Sequence, residues 1–242
     1  IQVEKMLNLD PEPQLLASIL AKKVAVGSKY VLIDIPYGKG AKVSKTGAEA
    51  LKKKFLKLAK LLDLKMKIVL TDGRQPIGNG VGPILEIKAV LRVLERKDSP
   101  QDLEKKSVFL AGEILELTKV VVKGKGLQKA QQVLDKGLAF KKFKEIISAQ
   151  GGSINHLPEA KYSTNLNSNK QGKVVEIKNK EVNRVARILG CPYEKASGIY
   201  LHKHLNSKVK KGETILTFYS ESRDKIKEAI SYVKNNPLIL VR

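Results

Sequence analysis

The sequence predicts an α/β protein: a parallel sheet flanked by helices, with a leading helix before it and a small α+β domain after it. Apolar runs of strand length alternate with segments in which apolar residues recur at helical spacing, which is the pattern of βαβ units. The composition then shifts toward Gly, Ser and Asn over residues 151–172, which marks a domain boundary. Beyond it the apolar runs become short and β-like, as in a small α+β domain.

The first element is a helix over residues 10–23, "DPEPQLLASILAKK". Asp10 is suited to be its N-cap, and Gly27 supplies a C-terminal stop. Most of the helix is apolar, yet Ser18 and Lys22 stand four positions apart on one face. Either solvent or a ligand is expected to lie against that face.

The predicted parallel sheet is built from apolar strands and a connecting helix. Residues 30–35, "YVLIDI", form a nearly continuous apolar run typical of a strand buried on both faces. A helical segment at 47–64 and a second strand at 65–72 follow, so the two strands should pair in parallel through a right-handed crossover. Three more helical segments complete this part, at residues 83–97, 102–117 and 127–150.

The last part contains β-like runs at 173–179, 197–205 and 213–220, and one helix at 223–236. The sequence therefore divides into three predicted units. Residues 1–27 end a helical domain, residues 28–150 form the α/β domain, and residues 151–242 form the small α+β domain.

The chain is strongly basic, with 46 Lys and Arg against 24 Asp and Glu, a net charge of +22. Such an excess attracts polyanions, so a basic nucleic-acid-binding module is one alternative function. The lysines are spread along the whole chain, however, and only 5% of residues are aromatic, so few rings can stack on bases. Nucleic acid is therefore an unfavoured partner. The single Cys191, the lack of a signal pattern and the lack of a long apolar run favour the cytoplasm and no membrane.

Two glycine-rich loops follow predicted strands, "PYGKGAKV" at residues 36–43 and "GRQPIGNGVGP" at residues 73–83. Open α/β sheets place their ligands at this edge, where glycine lets the backbone approach them. Neither loop has the spacing of a P-loop or of a dinucleotide-binding fingerprint. Lys42 ends the first loop, where it could reach a bound anion or simply be a surface lysine.

Other chemical signatures are weak. The histidines His156, His202 and His204 lack zinc-ligand spacing, and the chain contains no nucleophile-elbow motif. The turn "KHLNSK" resembles that of a lipoyl- or biotinyl-type carrier domain but lacks a modification site, which argues against a carrier.

The blocks at residues 10–43 and 71–91 together resemble the thymidine/pyrimidine-nucleoside phosphorylase family. They are closest to its branch of archaeal AMP phosphorylases and similar bacterial proteins. The segment at 198–220, "GIYLHKHLNSKVKKGETILTFYS", looks like the C-terminal domain of the family. The resemblance covers only the C-terminal half of such an enzyme.

The resemblance implies reversible phosphorolysis of a nucleoside to free base and (deoxy)ribose 1-phosphate. A thymidine phosphorylase is the first expectation. The alternative is an AMP phosphorylase, which releases base and ribose 1,5-bisphosphate. The implied partners are a nucleoside or nucleoside monophosphate and inorganic phosphate as co-substrate, with no cofactor. The full-length enzyme should be a homodimer.

Site residues follow from the same resemblance. Ser18 and Lys22 are expected to contact the base, and Asp10 to give a proton to the departing base. Lys42 is expected to be a substrate ligand, and because typical thymidine phosphorylases lack it, it favours the nucleotide branch.

The sequence also departs from the family. Val3 replaces the arginine that binds the base, and Ala89 replaces the carboxylate that helps some members hold potassium, so no metal is expected. The Lys-His-Ser segment and the "TGGT" signature that bind phosphate have no match in this sequence. The chain by itself is therefore expected to be inactive.

Overall fold

A computed structural model describes residues 12–242. Its first part begins with two helices and two strands, which are α1 (Glu12–Ala25), β1 (Tyr30–Tyr37), α2 (Lys45–Leu61) and β2 (Lys65–Asp72). β1 and β2 pair in parallel along their whole length, from Tyr30 opposite Lys65 to Tyr37 opposite Asp72. The parallel pairing predicted for these two strands is confirmed.

One small core holds this part together. Leu16 and Leu20 of α1 pack with Ile35 of β1, Phe55 of α2 and Ile68 of β2, and all five are buried. These α1 residues recur at i and i+4, which places them on one face of the helix. The predicted cap of this helix, Asp10, lies outside the described residues.

Four further helices follow, which are α3 (Pro83–Leu94), α4 (Gln101–Leu117), α5 (Gly126–Asp135) and α6 (Leu138–Ala149). They share a second small core that contains Val93, Val108 and Leu134. α4 and α5 come close at Gly112 and Gly126, where a Cβ built on Gly126 would lie 2.1 Å from the Gly112 carbonyl oxygen. Only glycine permits this approach of the two backbones.

The rest of the described chain is α+β. It contains β4 (Tyr162–Asn167), β5 (Gly172–Ile177), α7 (Asn179–Ile188), β6 (Gly198–Leu201), β7 (Lys208–Val209), β8 (Thr214–Ser220), α8 (Arg223–Asn235) and β9 (Ile239–Val241). With β3 (Gly80–Val81) from the first part, the strands form a four-stranded sheet in the order β3-β6-β8-β4 and a three-stranded sheet in the order β7-β5-β9. Every neighbouring pair in these two sheets is antiparallel.

The mixed α/β class is therefore confirmed, but the predicted parallel sheet is not a general feature of the fold. In the described residues only β1 and β2 pair in parallel, and the two larger sheets are antiparallel. The sequence pattern that predicted the parallel sheet is local to residues 30–72, where a helix joins the two strands. The later strands pair with partners distant in sequence, such as β4 with β8 and β5 with β9, so no local pattern predicts their direction.

Five elements were not predicted, and two of them, β7 and β9, have only two and three residues. β4 lies inside the segment interpreted as a linker, because its alternating residues are polar Ser and Asn rather than apolar. α7 was not predicted, so the last part has two helices rather than one; most of its residues are polar or charged, and only Val182, Val185 and Ala186 are buried. β3 has two residues and gives no periodic signal.

The largest core lies in the last part, where Val174, Val185, Leu201, Leu216 and Phe218 are almost wholly buried. β3 pairs with β6, so the second glycine-rich loop contributes a strand to the C-terminal sheet. The division of the chain into three predicted domains remains a prediction. Within residues 12–242, no helix is both long enough and apolar enough to cross a membrane.

Candidate active site

The two glycine-rich loops lie against each other at the carboxyl ends of β1 and β2, as the sequence predicts for parallel neighbours. The Gly73 amide donates a hydrogen bond of 2.8 Å to the Tyr37 carbonyl. A Cβ on Gly73 would lie 2.9 Å from the Pro36 Cβ and 3.0 Å from the Ala41 Cβ. No side chain fits between the loops at this position, which explains why glycine is needed there.

A cleft of about 650 Å³ opens where the loops meet, a volume typical of sites for small organic ligands. Residues from both loops and from three helices form its wall. The polar side chains of the wall are those of Lys42, Asp72, Gln75, Glu86, Lys106 and Asn179, with Asn183 beside them. Lys42 is exposed and stands at the end of the first loop.

A three-residue network supports one side of the cleft. Lys106 of α4 contacts Asp34 Oδ2 at 2.6 Å and donates to Thr71 Oγ1 at 3.0 Å. Thr71 in turn donates to the other Asp34 oxygen at 2.6 Å. Both charged side chains are about one-fifth exposed, so the pair is weakly screened by water. It fixes α4 against the strand ends and places an ammonium group at the wall.

A second ion pair shapes the loop after β2. The Arg74 guanidinium donates to both Asp72 oxygens, with distances of 2.6 Å to 3.0 Å, and the Arg74 amide also donates to Oδ1 at 3.0 Å. The hydrogen bonds from Arg74 hold the pKa of Asp72 below its usual value, although partial burial opposes them. Asp72 is therefore a carboxylate at neutral pH.

Asn179, the first residue of α7, joins the two loops from the C-terminal part. Its Nδ2 donates to the Gly73 carbonyl at 2.9 Å and lies 3.5 Å from the Gly40 carbonyl. Its Oδ1 is buried with no hydrogen-bond partner among the described residues. A buried acceptor of this kind is costly unless another group reaches it. The sequence did not indicate Asn179, because this residue belongs to no recognised motif and lies 106 positions from its partner Gly73.

The C-terminal part holds both loops through further contacts. Lys39 of the first loop forms a 2.8 Å ion pair with Glu176. In the second loop, Gln75 accepts a 2.7 Å hydrogen bond from the Leu205 amide, and Asn79 donates to the Leu201 carbonyl at 2.8 Å. The C-terminal part therefore helps to position both loops of the cleft.

The predicted site residues are not brought together in one place. Lys42 lies in the cleft wall. Of the described residues, Ser18 and Lys22 are not part of that wall; Ser18 Oγ donates to the Leu15 carbonyl of its own helix at 3.1 Å, and Lys22 is exposed. Asp10 lies outside the described residues. The binding and catalytic roles of all four remain predictions.

The residues present do not fit the potassium site of some family members. Ala89 is buried and has no oxygen to offer in its side chain. The nearby carboxylate that lines the cleft, Glu86, accepts a 3.1 Å hydrogen bond from the Gly82 amide at the start of α3. Within the described residues, no group of three or more His, Cys, Asp and Glu side chains is placed to hold a metal.

Comparison with known proteins agrees with the resemblance. Residues 173–239 match the family model of the pyrimidine nucleoside phosphorylase C-terminal domain. The AMP phosphorylase of Methanococcus aeolicus is 41% identical over 97% of this chain and 47% of its own length. That of Pyrococcus horikoshii is 41% identical over 95% of the chain and 47% of its own length. A Legionella pneumophila protein named "Putative thymidine phosphorylase" is 40% identical over the whole chain and 47% of its own length.

The chain spans about half the length of the curated relatives it matches. Its similarity to them covers both glycine-rich loops, the cleft between them and the C-terminal sheets. The resemblance seen in the sequence is therefore confirmed: the chain is similar, over almost all of its length, to about half of proteins named AMP phosphorylase and putative thymidine phosphorylase, and its residues 173–239 match the C-terminal domain model of the pyrimidine nucleoside phosphorylases.

Proposed function

We propose that this chain supplies one half of a pentosyltransferase that catalyses reversible phosphorolysis of a nucleoside or a nucleoside 5′-monophosphate. The observation that carries the proposal is the cleft between the two glycine-rich loops, with Lys42 in its wall. The names of the relatives support the reaction class. In this reaction an oxygen of inorganic phosphate bonds to C1′ of the sugar, the C1′–N bond breaks, and the base leaves with the electron pair and takes up a proton.

The site must stabilise the negative charge that develops on the departing base. In the proposed arrangement Ser18 and Lys22 contact the base, and Asp10 gives it the proton. The helix α1 supports this assignment, because Leu16 and Leu20 are buried while Lys22 is exposed and available to a ligand. The sugar would lie toward the cleft.

A 5′-phosphorylated substrate suits this cleft better than a neutral nucleoside. Two lysines, Lys42 and Lys106, contribute to its wall, and Lys106 also pairs with Asp34. We assign Lys42 to the 5′-phosphate, because it is exposed at the end of the first loop and a flexible ammonium group is a suitable partner for phosphate. The buried Asn179 Oδ1 is an acceptor for a sugar hydroxyl. With a ribonucleoside 5′-monophosphate as substrate, the sugar product is ribose 1,5-bisphosphate. Thymidine phosphorolysis remains the second candidate, in agreement with one relative's name.

The finer properties of the enzyme are proposals as well. We propose a cytoplasmic homodimer in its full-length form that uses inorganic phosphate as co-substrate and no cofactor. Residues 1–242 alone should not catalyse phosphorolysis, because this sequence has no match to the Lys-His-Ser segment with which the family binds phosphate.

The decisive test is a phosphate-dependent base-release assay on the full-length enzyme with AMP, CMP, thymidine and uridine. In the Lys42→Met variant we expect kcat/KM for the two monophosphates to fall by about 10- to 100-fold, the range for loss of a charge-assisted contact, and that for the nucleosides to stay unchanged. Lys39→Met is the matched control, since Lys39 lies on the same loop but pairs with Glu176. Release from none of the four substrates would rule out the proposed function, and an equal loss on nucleosides would remove the 5′-phosphate role of Lys42.

The base-binding role is tested separately by Lys22→Met in the same enzyme. Met and Lys have similar helix propensity, so α1 should stay folded and the unfolding midpoint unchanged. Turnover should fall by about 10²- to 10³-fold, the usual effect of removing one preorganised donor. Activity within about twofold of the wild-type enzyme would show that Lys22 is an ordinary surface lysine, for which small effects are the norm.

A further inference from the structure

The four-stranded antiparallel sheet has an unusual second face. One face is the apolar core, formed by residues such as Ile199, Leu201, Leu216 and Phe218. The pairing of β6, β8 and β4 places alternate residues on the opposite face. The side chains on this face are polar: Tyr200 on β6 and His202 just after it, Thr217 and Tyr219 on β8, and Ser163 and Asn165 on β4.

Helix α3 covers part of this polar face and leaves a cavity of about 560 Å³ between them. Lys88 and Arg92 line it from the helix, where their i, i+4 spacing puts both on one side. Tyr200, His202 and Tyr219 line it from the sheet. The cavity shares only Ala89 with the cleft between the glycine-rich loops, so it is a separate site among the described residues.

Several donors at this cavity are not used within the protein. Arg92 Nη1 donates to the Tyr200 hydroxyl oxygen at 3.2 Å, so the proton of that hydroxyl remains available to a ligand. The Tyr219 hydroxyl has no hydrogen-bond partner in residues 12–242. Burial raises the pKa of Tyr219, which keeps it a neutral donor at physiological pH.

His202 is held in a defined state. Its Nε2 lies 2.7 Å from Thr217 Oγ1, and Thr217 donates its single proton to Asn165 Oδ1 at 2.8 Å. The Nε2 atom must therefore carry the hydrogen, which leaves Nδ1 as an acceptor in the neutral ring. Desolvation lowers the pKa of His202, as does nearby Lys203, so the ring is neutral at pH 7.

The charge at the cavity is positive. Lys88 and Arg92 contribute two cations, and the only carboxylate in the lining is Glu159. Its contact with Lys88 is 3.6 Å long and its side chain is 84% exposed, so it is a weak partner that an anion can displace. Two cations and two phenol donors match a phosphate group, which carries up to two charges and three terminal oxygens.

We propose that this cavity binds a phosphate monoester of nucleotide or sugar-phosphate size, in addition to the substrate of the phosphorolysis site. Arg92, Lys88 and the two tyrosine hydroxyls hold the phosphate. Ile84 and Leu85 of α3, with Ala160 opposite, form an apolar wall for the organic body of the ligand. This combination of a large apolar wall and a few polar groups is typical of specific small-molecule sites.

The test is calorimetric titration of the intact chain with AMP, ribose 5-phosphate and inorganic phosphate. Arg92→Met should weaken binding of the monoesters by about 10- to 100-fold, and Tyr219→Phe by about 10-fold, as expected for lost hydrogen bonds to a charged group. Tyr219→Phe removes an oxygen without a protein partner, so it should fold normally even where Arg92→Met does not. The same titrations are repeated in the Lys42→Met background, where binding in the loop cleft is weakened and binding in this cavity should persist.

The outcomes separate the possibilities. Binding of AMP or ribose 5-phosphate that is weakened by Tyr219→Phe and kept in Lys42→Met supports the proposal. Equal affinity for inorganic phosphate overturns the role of the apolar wall. No binding of any probe at millimolar concentration, or binding lost only in Lys42→Met, overturns the site. The proposed phosphorolysis is tested by base release from the full-length enzyme, so a negative result for this cavity leaves it unaffected.

Discussion

The first and last parts of the described chain are stabilised in different ways. Residues 174–239 contribute seventeen buried residues to one continuous core. The part before residue 150 divides its buried residues between two clusters, one of seven and one of four. Because stabilisation grows with the apolar area removed from water, the last part is the more stable unit by itself. The part before residue 150, which has two small cores, therefore depends more on its contacts with the rest of the chain.

The candidate site lies where the weaker part meets the stronger one. Gln75 and Asn79 of the second loop and Lys39 of the first are all held by residues beyond 170. Asn179 then joins the two loops to each other. The cleft geometry therefore depends on the C-terminal part of the chain, although the loops follow the parallel strands.

The largest expected effect is on stability, and it distinguishes the C-terminal core, which contains Phe218, from the core around β1 and β2, which contains Phe55. Phe218 and Phe55 are both almost wholly buried, at 0% and 2% exposure. Replacing either by Ala should cost about 3–5 kcal/mol through lost burial and a cavity. Phe218→Ala should reduce amide hydrogen-exchange protection throughout the chain, because the cleft depends on the C-terminal core. Phe55→Ala should reduce it in β1 and β2 and leave β8 protected.

Val175→Ala is the control for this pair, since Val175 is 45% exposed and should change stability by less than about 0.5 kcal/mol. Equal loss of protection in β8 for both Phe variants would contradict the comparison and indicate a single cooperative unit.

The next effect concerns the close approach of α4 and α5. A Cβ on Gly126 would lie 2.1 Å from the Gly112 carbonyl oxygen, which is backbone and cannot rotate away. We expect Gly126→Ala to destabilise the chain by about 2–3 kcal/mol, measured by urea unfolding. The matched control is Gly47→Ala in α2, where the nearest atoms would be 3.5 Å away. That variant should be neutral or stabilising by about 0.5–1 kcal/mol, and a similar loss in both would refute the steric explanation.

A pH effect is expected in the same helical region. Glu104 is buried; burial alone would raise its pKa, but hydrogen bonds from Arg96 and Ser99 outweigh burial and lower it. A lowered pKa in the folded state stabilises the fold at pH values above the ordinary value of about 4.5. This stabilisation is lost as the pH falls through the lowered value.

Glu104→Gln should therefore cost about 1–3 kcal/mol at pH 7, the usual range for a charge-assisted hydrogen bond, and less at pH 3. Unfolding by urea at both pH values measures the difference. Glu145→Gln is the control. Glu145 and its partner Lys142 are both exposed, so this substitution should have little effect at either pH. A constant difference between the wild type and Glu104→Gln across this range would contradict the assigned cause.

The smallest effect tests the contact between the two parts. Asn179→Ala removes the donor that reaches the Gly73 carbonyl at 2.9 Å and should cost about 1 kcal/mol. The amides of both glycine-rich loops should exchange faster with solvent, while those of β8 stay protected. Asn183→Ala, one turn further along α7 and without a hydrogen bond to either loop, is the control. Unchanged exchange at Gly40 and Gly73 would show that Asn179 does not hold the loops together.

Much of the site could be found from local sequence patterns. Two glycine-rich segments after two predicted strands had to meet at one edge once the strands paired in parallel, and Lys42 came with them. Asn179 could not be found in this way. It lies in a helix with few apolar residues, and its partners are carbonyl groups more than 100 positions away. For the same reason the sequence did not indicate the cavity lined by Tyr219 and Arg92, which is formed by segments far apart in the chain.

The parallel pairing of residues 30–37 with 65–72, most helices and the resemblance to the phosphorylases could be predicted from the sequence. These features depend on periodicity, on glycine and on neighbouring residues, all of which are local. The folded structure was needed to show that the remaining sheets are antiparallel, that polar β4 is a strand, and that α7 lines the cleft. Strand pairing and the hydrogen bonds of buried side chains depend on partners that are distant in sequence. The free energy of these contacts is gained only when the chain has folded.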